Sequence, residues 1–237
     1  MESLPTRSVP RVWASALLGW MHNDLGQPQT ARQVLEVELL GARGLAEAQT
    51  TIPHLGQSAR ALAKLGLDVE TTALIQEFLN VIDRTPDAQS VSTLPLLFAC
   101  QWLAGQPASE GLPTAQACLR RLERAYRQIG SLETDAAYHE GQGIIALAED
   151  NPTQAVEPFR YAANRWQVLN RPYDQLRTLR GLGYALKQIG DLQQAGSTLD
   201  QALHLVETLA TQLDDPTLKT IFLNSSLVQE VHSFHSR

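Results

Sequence analysis

The sequence predicts an all-α protein: a solenoid of about five antiparallel helix pairs, repeating about every 40 residues, with a capping helix at its C-terminal end. Three observations lead there. Residues 179–203 join two apolar stripes around a short turn at Gly190-Asp191. Leu179, Leu182, Leu186 and Ile189 line the first helix, and Ala195, Leu199, Ala202, Leu203 and Val206 the second. The same marks recur 40 residues upstream, where Gly143 stands for Gly183, Ala155 for Ala195, Phe159 for Leu199 and Ala162 for Ala202. They return again at Gly19 and Ala31, and adding 40 to those lands on Ala59 and Thr71. Glycine and alanine at these points let paired helices approach more closely than leucine against leucine would allow.

Taken in order, residues 1–8 show no periodicity and are expected to be a disordered lead. The first pair covers 9–44. Its first helix ends near Asp24, its turn is Leu25-Gly26-Gln27, and Pro28 re-enters helix where a missing amide donor costs nothing. The second pair, 45–85, is expected to kink or restart at Pro53 and to turn at Gly66-Leu67-Asp68. The third, 90–130, aligns least well, because Phe98 replaces the packing glycine. Its insertion QPASEGLP reads as the longest loop, 105–112, after which Pro113 opens the second helix.

The fourth pair, 131–170, has Asn151 as an N-cap before Pro152, and Pro158 is expected to bend the helix that follows. The fifth, 171–213, opens after Arg171-Pro172 and uses Asp191 as a cap. Residues 214–237 supply Leu218, Ile221, Phe222, Val228 and Val231 to cover the open apolar face of the fifth pair. The first pair has no such cover. Trp13 and Trp20 therefore stand in a terminal repeat, which predicts self-association or docking onto something upstream.

The order of Leu-Gly, Gly-Asp, then alanine and a large apolar residue resembles the tetratricopeptide repeat over roughly residues 9–213. The period departs from the usual value of about 34, and the Trp and Tyr of the usual first helix are missing. The resemblance implies a right-handed superhelix whose first helices line a concave groove. Longer repeats of this kind resemble those of bacterial switch-ATPase regulators such as the maltose-regulon activators, and residues 213–231 resemble the segment that often closes such arrays. That implies a cytoplasmic, bacterial signalling or transcription regulator, with an ATPase domain upstream of this chain.

Composition narrows the function. The formal charge is −6, from 25 acidic and 19 basic residues, which argues against general nucleic-acid binding. Two cysteines, Cys100 and Cys118, without paired spacing read as reduced, buried small residues. The apolar run 12–21 follows Arg7 and Arg11 as a signal peptide would, but polar Asn23-Asp24 follows without a cleavage site. No run reaches the ~18 apolar residues of a membrane span. No phosphate loop is present, and Gly181-Leu182-Gly183 belongs to a helix. His139-Glu140 lacks the second histidine of a zinc helix, and His232 with His235 falls in a tail expected to fray. No cofactor, metal or catalytic set is expected.

What remains is surface. Arg177, Arg180, Tyr184 and Lys187 share one face of the fifth pair's first helix, and the matching phase gives Arg60 and Lys64, Trp102, and Glu140 in pairs two, three and four. This face reads either as a solvated charged surface or as a groove that reads an anion or carboxylate. Arg120, Arg121, Arg124 and Arg127 form a second cluster, on a helix expected to face outward. The function expected is a non-enzymatic interaction and sensor scaffold with a protein or peptide partner in the groove. The alternative is a receptor for a small molecule or short peptide.

Overall fold

A computed structural model describes residues 8–45, 47–85 and 87–235. Among them are twelve helices and no strand, with 86% of the described residues helical. They are α1 (Val9–Asp24), α2 (Pro28–Leu45), α3 (Ala48–Lys64), α4 (Asp68–Arg84), α5 (Gln89–Ala104) and α6 (Ala108–Ile129). Then come α7 (Leu132–Ala148), α8 (Pro152–Val168), α9 (Pro172–Gln188), α10 (Leu192–Thr211), α11 (Pro216–Leu223) and α12 (Ser226–His235). The chain divides into two units, residues 1–98 and 99–237, with the division inside α5. Of the expected disordered lead only Ser8 is described, just ahead of α1; the rest lies outside the described residues.

Local chemistry sets the turns. Gly26, Gly66 and Gly190 have φ of 79°, 70° and 83°, and Asp150 holds the same place in the fourth pair with φ 56°. Only glycine takes that conformation without cost, and Asp or Asn tolerates it better than other residues. In each case the following amide closes back over the helix end. Gln27 donates to the His22 carbonyl at 2.8 Å, Leu67 to Leu62 at 3.1 Å, Asn151 to Ala146 at 2.9 Å and Asp191 to Leu186 at 3.0 Å. The next helix is then capped from the side chain where the sequence supplies one: Asn151 Oδ1 accepts from the Gln154 amide, and Asp191 Oδ1 from that of Gln194.

Within a pair, the packing glycine lies against the large residue sixteen positions on. A Cβ on Gly19 would fall 2.6 Å from Leu35, on Gly143 2.8 Å from Phe159, and on Gly183 2.8 Å from Leu199. The stripe of α9 is shorter than expected: Leu179, Leu182 and Leu186 are buried, whereas Ile189 caps the helix and is exposed.

Prolines interrupt less than the sequence suggests. Leu45 ends α2, and α3 begins at Ala48 and runs through Pro53 without a fresh start. The expected loop 105–112 is also absent. α5 ends at Ala104 and α6 begins at Ala108, so most of the insertion forms extra turns at the start of α6 and Pro113 lies inside it. The reason is positional. Pro53, Pro95, Pro113 and Pro158 are each the sixth or seventh residue of their helix, so the carbonyl each one deprives of a partner lies in the first turn. Gly111 lets the start of α6 lie on the end of α5, where a Cβ would stand 2.0 Å from the Leu103 carbonyl oxygen.

In place of one capping helix and a frayed tail there are two helices. Phe222 of α11 and Leu227, Val228 and Val231 of α12 join Leu176, Leu179, Ala202, Val206 and Ala210 in one buried cluster. Each large side chain so buried contributes about 1.5–3 kcal/mol. His235 is held by Asp200 at 2.8 Å. Leu218 and Ile221 are only partly covered.

Candidate functional site

The cations on the basic face of α9 are taken up by partners within the fold, while Tyr184 among them stays exposed. Arg177 turns inward and grips Glu140 of α7 with two bonds, Nε to Oε1 at 2.7 Å and Nη2 to Oε2 at 2.8 Å. Trp166 Nε1 of α8 donates to the same Oε2 at 2.8 Å, so three donors satisfy a carboxylate that is 1% exposed. Arg177 Nη1 also reaches Asp174 Oδ1 at 2.7 Å. The network continues through Arg171, 2.6 Å from Asp174 and 3.1 Å from Glu133. Burial acts to lower the Arg177 pKa, but Glu140 and Asp174 outweigh it and hold the guanidinium well above its ordinary value. Burial moves Glu133 upward, against the pull of Arg171.

The other two cations of α9 meet α12. Arg180 pairs with Glu230, and the Lys187 ammonium donates to the Phe234 main-chain carbonyl. That carbonyl sits in the last turn of a helix, where the backbone dipole favours a cation. The Tyr184 ring lies 5.5 Å from that of Phe234.

Beside these contacts opens a cleft of about 400 Å³ within the second unit. Its walls are apolar, from Ile144, Leu147 and Ala148 of α7, Phe159 of α8 and Phe234 of α12. Gln101 of α5, Glu140, Arg177, Arg180 and Tyr184 supply the polar groups. Glu140 and Arg177 satisfy one another, so the cleft offers apolar surface and neutral hydrogen-bonding groups rather than a free cation.

The remaining expected site residues do not gather here. Trp102 is half-buried on α5 and does not line the cleft, although its neighbour Gln101 does. Arg60 and Lys64 belong to the first unit, where Arg60 pairs with Asp24 at 2.7 Å and Lys64 donates to the Asn23 carbonyl. Burial of the Lys64 ammonium, ahead of the nearby Arg60 charge, lowers its pKa to about 7. In the second arginine cluster Arg120, Arg124 and Arg127 are exposed as expected, and Arg127 pairs with Glu123 of its own helix. Arg121 lies partly covered, bonded to the Ala117 carbonyl at 3.1 Å. Cys100 and Cys118 are buried and form no disulfide, and burial raises the Cys100 thiol well above its usual value.

Sequence reading passed over Asp174 and Trp166. Asp174 lay within reach, three residues before Arg177 on one helix face, while Trp166 carried no local signal. It also passed over a row of rings across α6, α7 and α8. Tyr126 stacks on Tyr138 at 5.3 Å and His139 meets Tyr161 at 4.3 Å, with Arg165 over Tyr161 and 2.9 Å from Asp135. His139 is thus taken up by this row and by Asp135, 3.3 Å away. No group of three metal-binding side chains occurs among the described residues, and none of their helices is long and apolar enough to cross a membrane.

Compared with known proteins, the chain matches no protein-family model and no curated relative.

Proposed function

We propose that this chain is a non-enzymatic interaction and sensor scaffold of a larger regulator, and that the cleft of its second unit receives an apolar side chain or short segment of a partner protein. The observation that carries this is the cleft itself. Its walls are apolar, its charged floor is already neutralised, and nearly all its groups are held by helices α5, α7, α8, α9 and α12 rather than by loops. Such a floor orients a ligand through shape and neutral hydrogen bonds. It offers no unpaired cation to an anion.

A second reading is a receptor for a small apolar molecule, favoured by the cleft volume of about 400 Å³, which falls in the usual range of small-ligand sites, about 300–1,000 Å³. One variant tests both. Ala148→Phe fills the cleft from a half-buried position without touching the ionic floor. A protein captured from the source cell and then purified should bind the parent chain in calorimetric titration at least tenfold more tightly than the filled variant. Equal affinity would remove the cleft from the scaffold reading. For the receptor reading, a screened apolar compound should raise the melting temperature of the parent and not of Ala148→Phe.

A further inference from the structure

Taking the cleft as the place where a partner segment docks, we infer that the last turn of α12, residues 232–235, is a displaceable plug of that cleft. The segment that displaces it carries an aromatic side chain beside a carboxylate. Among the described residues, Phe234 is the lining side chain that stands on α12; the others stand on α5, α7, α8 and α9. Its ring lies 5.5 Å from that of Tyr184, itself a lining residue, with the planes 31° apart. A ring laid against another lining ring occupies the space that a ligand's ring would take. The backbone behind it is held as well, because the Lys187 ammonium, three residues beyond Tyr184 on α9, donates to the Phe234 carbonyl. Carbonyls in the last turn of a helix carry the negative end of its dipole. α12 thus presents a ring and a negative group together, and Tyr184 and Lys187, one turn apart, meet both.

What anchors α12 lies earlier in the helix. Leu227, Val228 and Val231 are buried in the cluster with Leu176, Val206 and Ala210, and both valines are 0% exposed. Residues 232–235 have no such anchor. Ser233 and Phe234 are half-buried, and His232 and His235 are exposed. His235 meets Asp200 at 2.8 Å, but the two side chains are 40% and 69% exposed, so water competes for both. A helix end held by exposed polar contacts opens at much lower free energy than a segment packed into a core. The last turn can therefore leave while Val228 and Val231 stay in place and Glu230 stays on Arg180.

Opening changes what the cleft offers. Tyr184 is uncovered, and the half-buried Lys187 loses the Phe234 carbonyl, while Arg177 remains on Glu140. One cation then stands beside apolar walls. A segment that brings only apolar groups leaves that ammonium without an acceptor, whereas a ring on Tyr184 with a carboxylate on Lys187 replaces both lost contacts and turns the second into a charge-assisted bond. With the plug in place the same cation is occupied, so weak or neutral ligands do not compete.

Two fluorescent dyes with the same rings test this: anilinonaphthalene sulfonate, an aromatic anion, and N-phenylnaphthylamine, its uncharged counterpart. A site that is open only part of the time shows its affinity reduced by that fraction, so Phe234→Ala should bind both dyes at least about fivefold more tightly than the parent. Adding Lys187→Gln should weaken the anion roughly tenfold and leave the neutral dye unchanged. Adding Ala148→Phe instead should weaken both. Asp200→Asn, which loosens His235 from an exposed residue outside the cleft lining, should act like Phe234→Ala to a smaller degree, and serves if that variant loses its helical signal. Dye affinity that Phe234→Ala leaves unchanged or lowers would make Phe234 a fixed wall and overturn the inference. An anion indifferent to Lys187→Gln, or dyes indifferent to Ala148→Phe, overturn it too. The cleft as a receiving site is decided separately, by the partner's own affinity for Ala148→Phe.

Discussion

The two units differ in the polar groups they bury: among the described residues, carboxylates are buried in the second and not in the first. In the first, the buried polar residues among those described are neutral: Ser15, Asn23, Thr50, Thr51, His54, Ser58, Thr71, Ser92 and Thr93. His54 shows the consequence. Its Nε2 lies 3.1 Å from Ser15 Oγ, and burial, reinforced by the Arg43 charge, pushes its pKa down to about 4. In the second, Asp135, Glu140 and Asp174 are buried carboxylates, each answered by an arginine. Threonines that bond their own helix carbonyls, as Thr71 does to Leu67 at 2.8 Å, need nothing from a neighbouring element. A buried carboxylate does, so the ionic unit depends on correct placement of α7, α8 and α9 together.

The largest break expected in this contrast comes from Glu140→Ala. It leaves Arg177 half-satisfied and the Trp166 N–H without its partner, and should cost about 3–5 kcal/mol in urea unfolding. Replacing both charges, Glu140→Leu with Arg177→Leu, should cost less than Glu140→Ala alone, because no charge is then stranded. A double variant less stable than the single would show that the pair contributes net stability of its own.

Acid sharpens the contrast from the other side. The folded pKa of His54, about 4, lies below the unfolded value of 6.5, so the unfolded chain takes up the proton first. Stability from this group is complete near pH 7 and falls as the pH drops through 6.5 towards 4, by about 3 kcal/mol in all. The stability gap between the parent and His54→Gln, measured by urea titration from pH 7 to pH 3.5, should shift by that amount in favour of the variant. A constant gap would mean that His54 is charged in the folded state.

Gly183→Leu tests the packing that both units share. A Cβ there already falls 2.8 Å from Leu199, and the whole isobutyl group should cost about 1–3 kcal/mol beyond the ~1 kcal/mol gained in helix propensity. A higher melting temperature would contradict the close approach of α9 and α10.

The smallest effect should come from Arg180→Ala. Its pair with Glu230 is partly exposed and contributes below about 1 kcal/mol. Hydrogen exchange should nonetheless quicken in the last turn of α12, by less than tenfold, and nowhere else. An unchanged rate there would show that Val228 and Val231, rather than the basic face, hold α12 in place.

Much of the helical framework was legible because it depends on short-range rules. The apolar stripes, the turns at Gly26, Gly66 and Gly190, the caps Asn151 and Asp191, and the glycines facing Leu35, Phe159 and Leu199 all involve residues within about one helix pair of one another. Where the reading failed, it gave proline and glycine too much weight. QPASEGLP looked like a loop, yet Pro113 falls early enough in α6 to be tolerated.

Of the candidate site, the sequence determined that Arg177, Arg180, Tyr184 and Lys187 share a face of one helix, which follows from 3.6 residues per turn. Tertiary structure alone decided what that face meets. Arg177 reaches Glu140 across 37 residues, Lys187 reaches Phe234 across 47, and Arg180 reaches Glu230 across 50. Periodicity fixes the direction of a side chain from its own helix axis. Whether a long cation then ends in water or on a carboxylate depends on how neighbouring helices are set against it, and the spacing of residues along one chain carries no record of that.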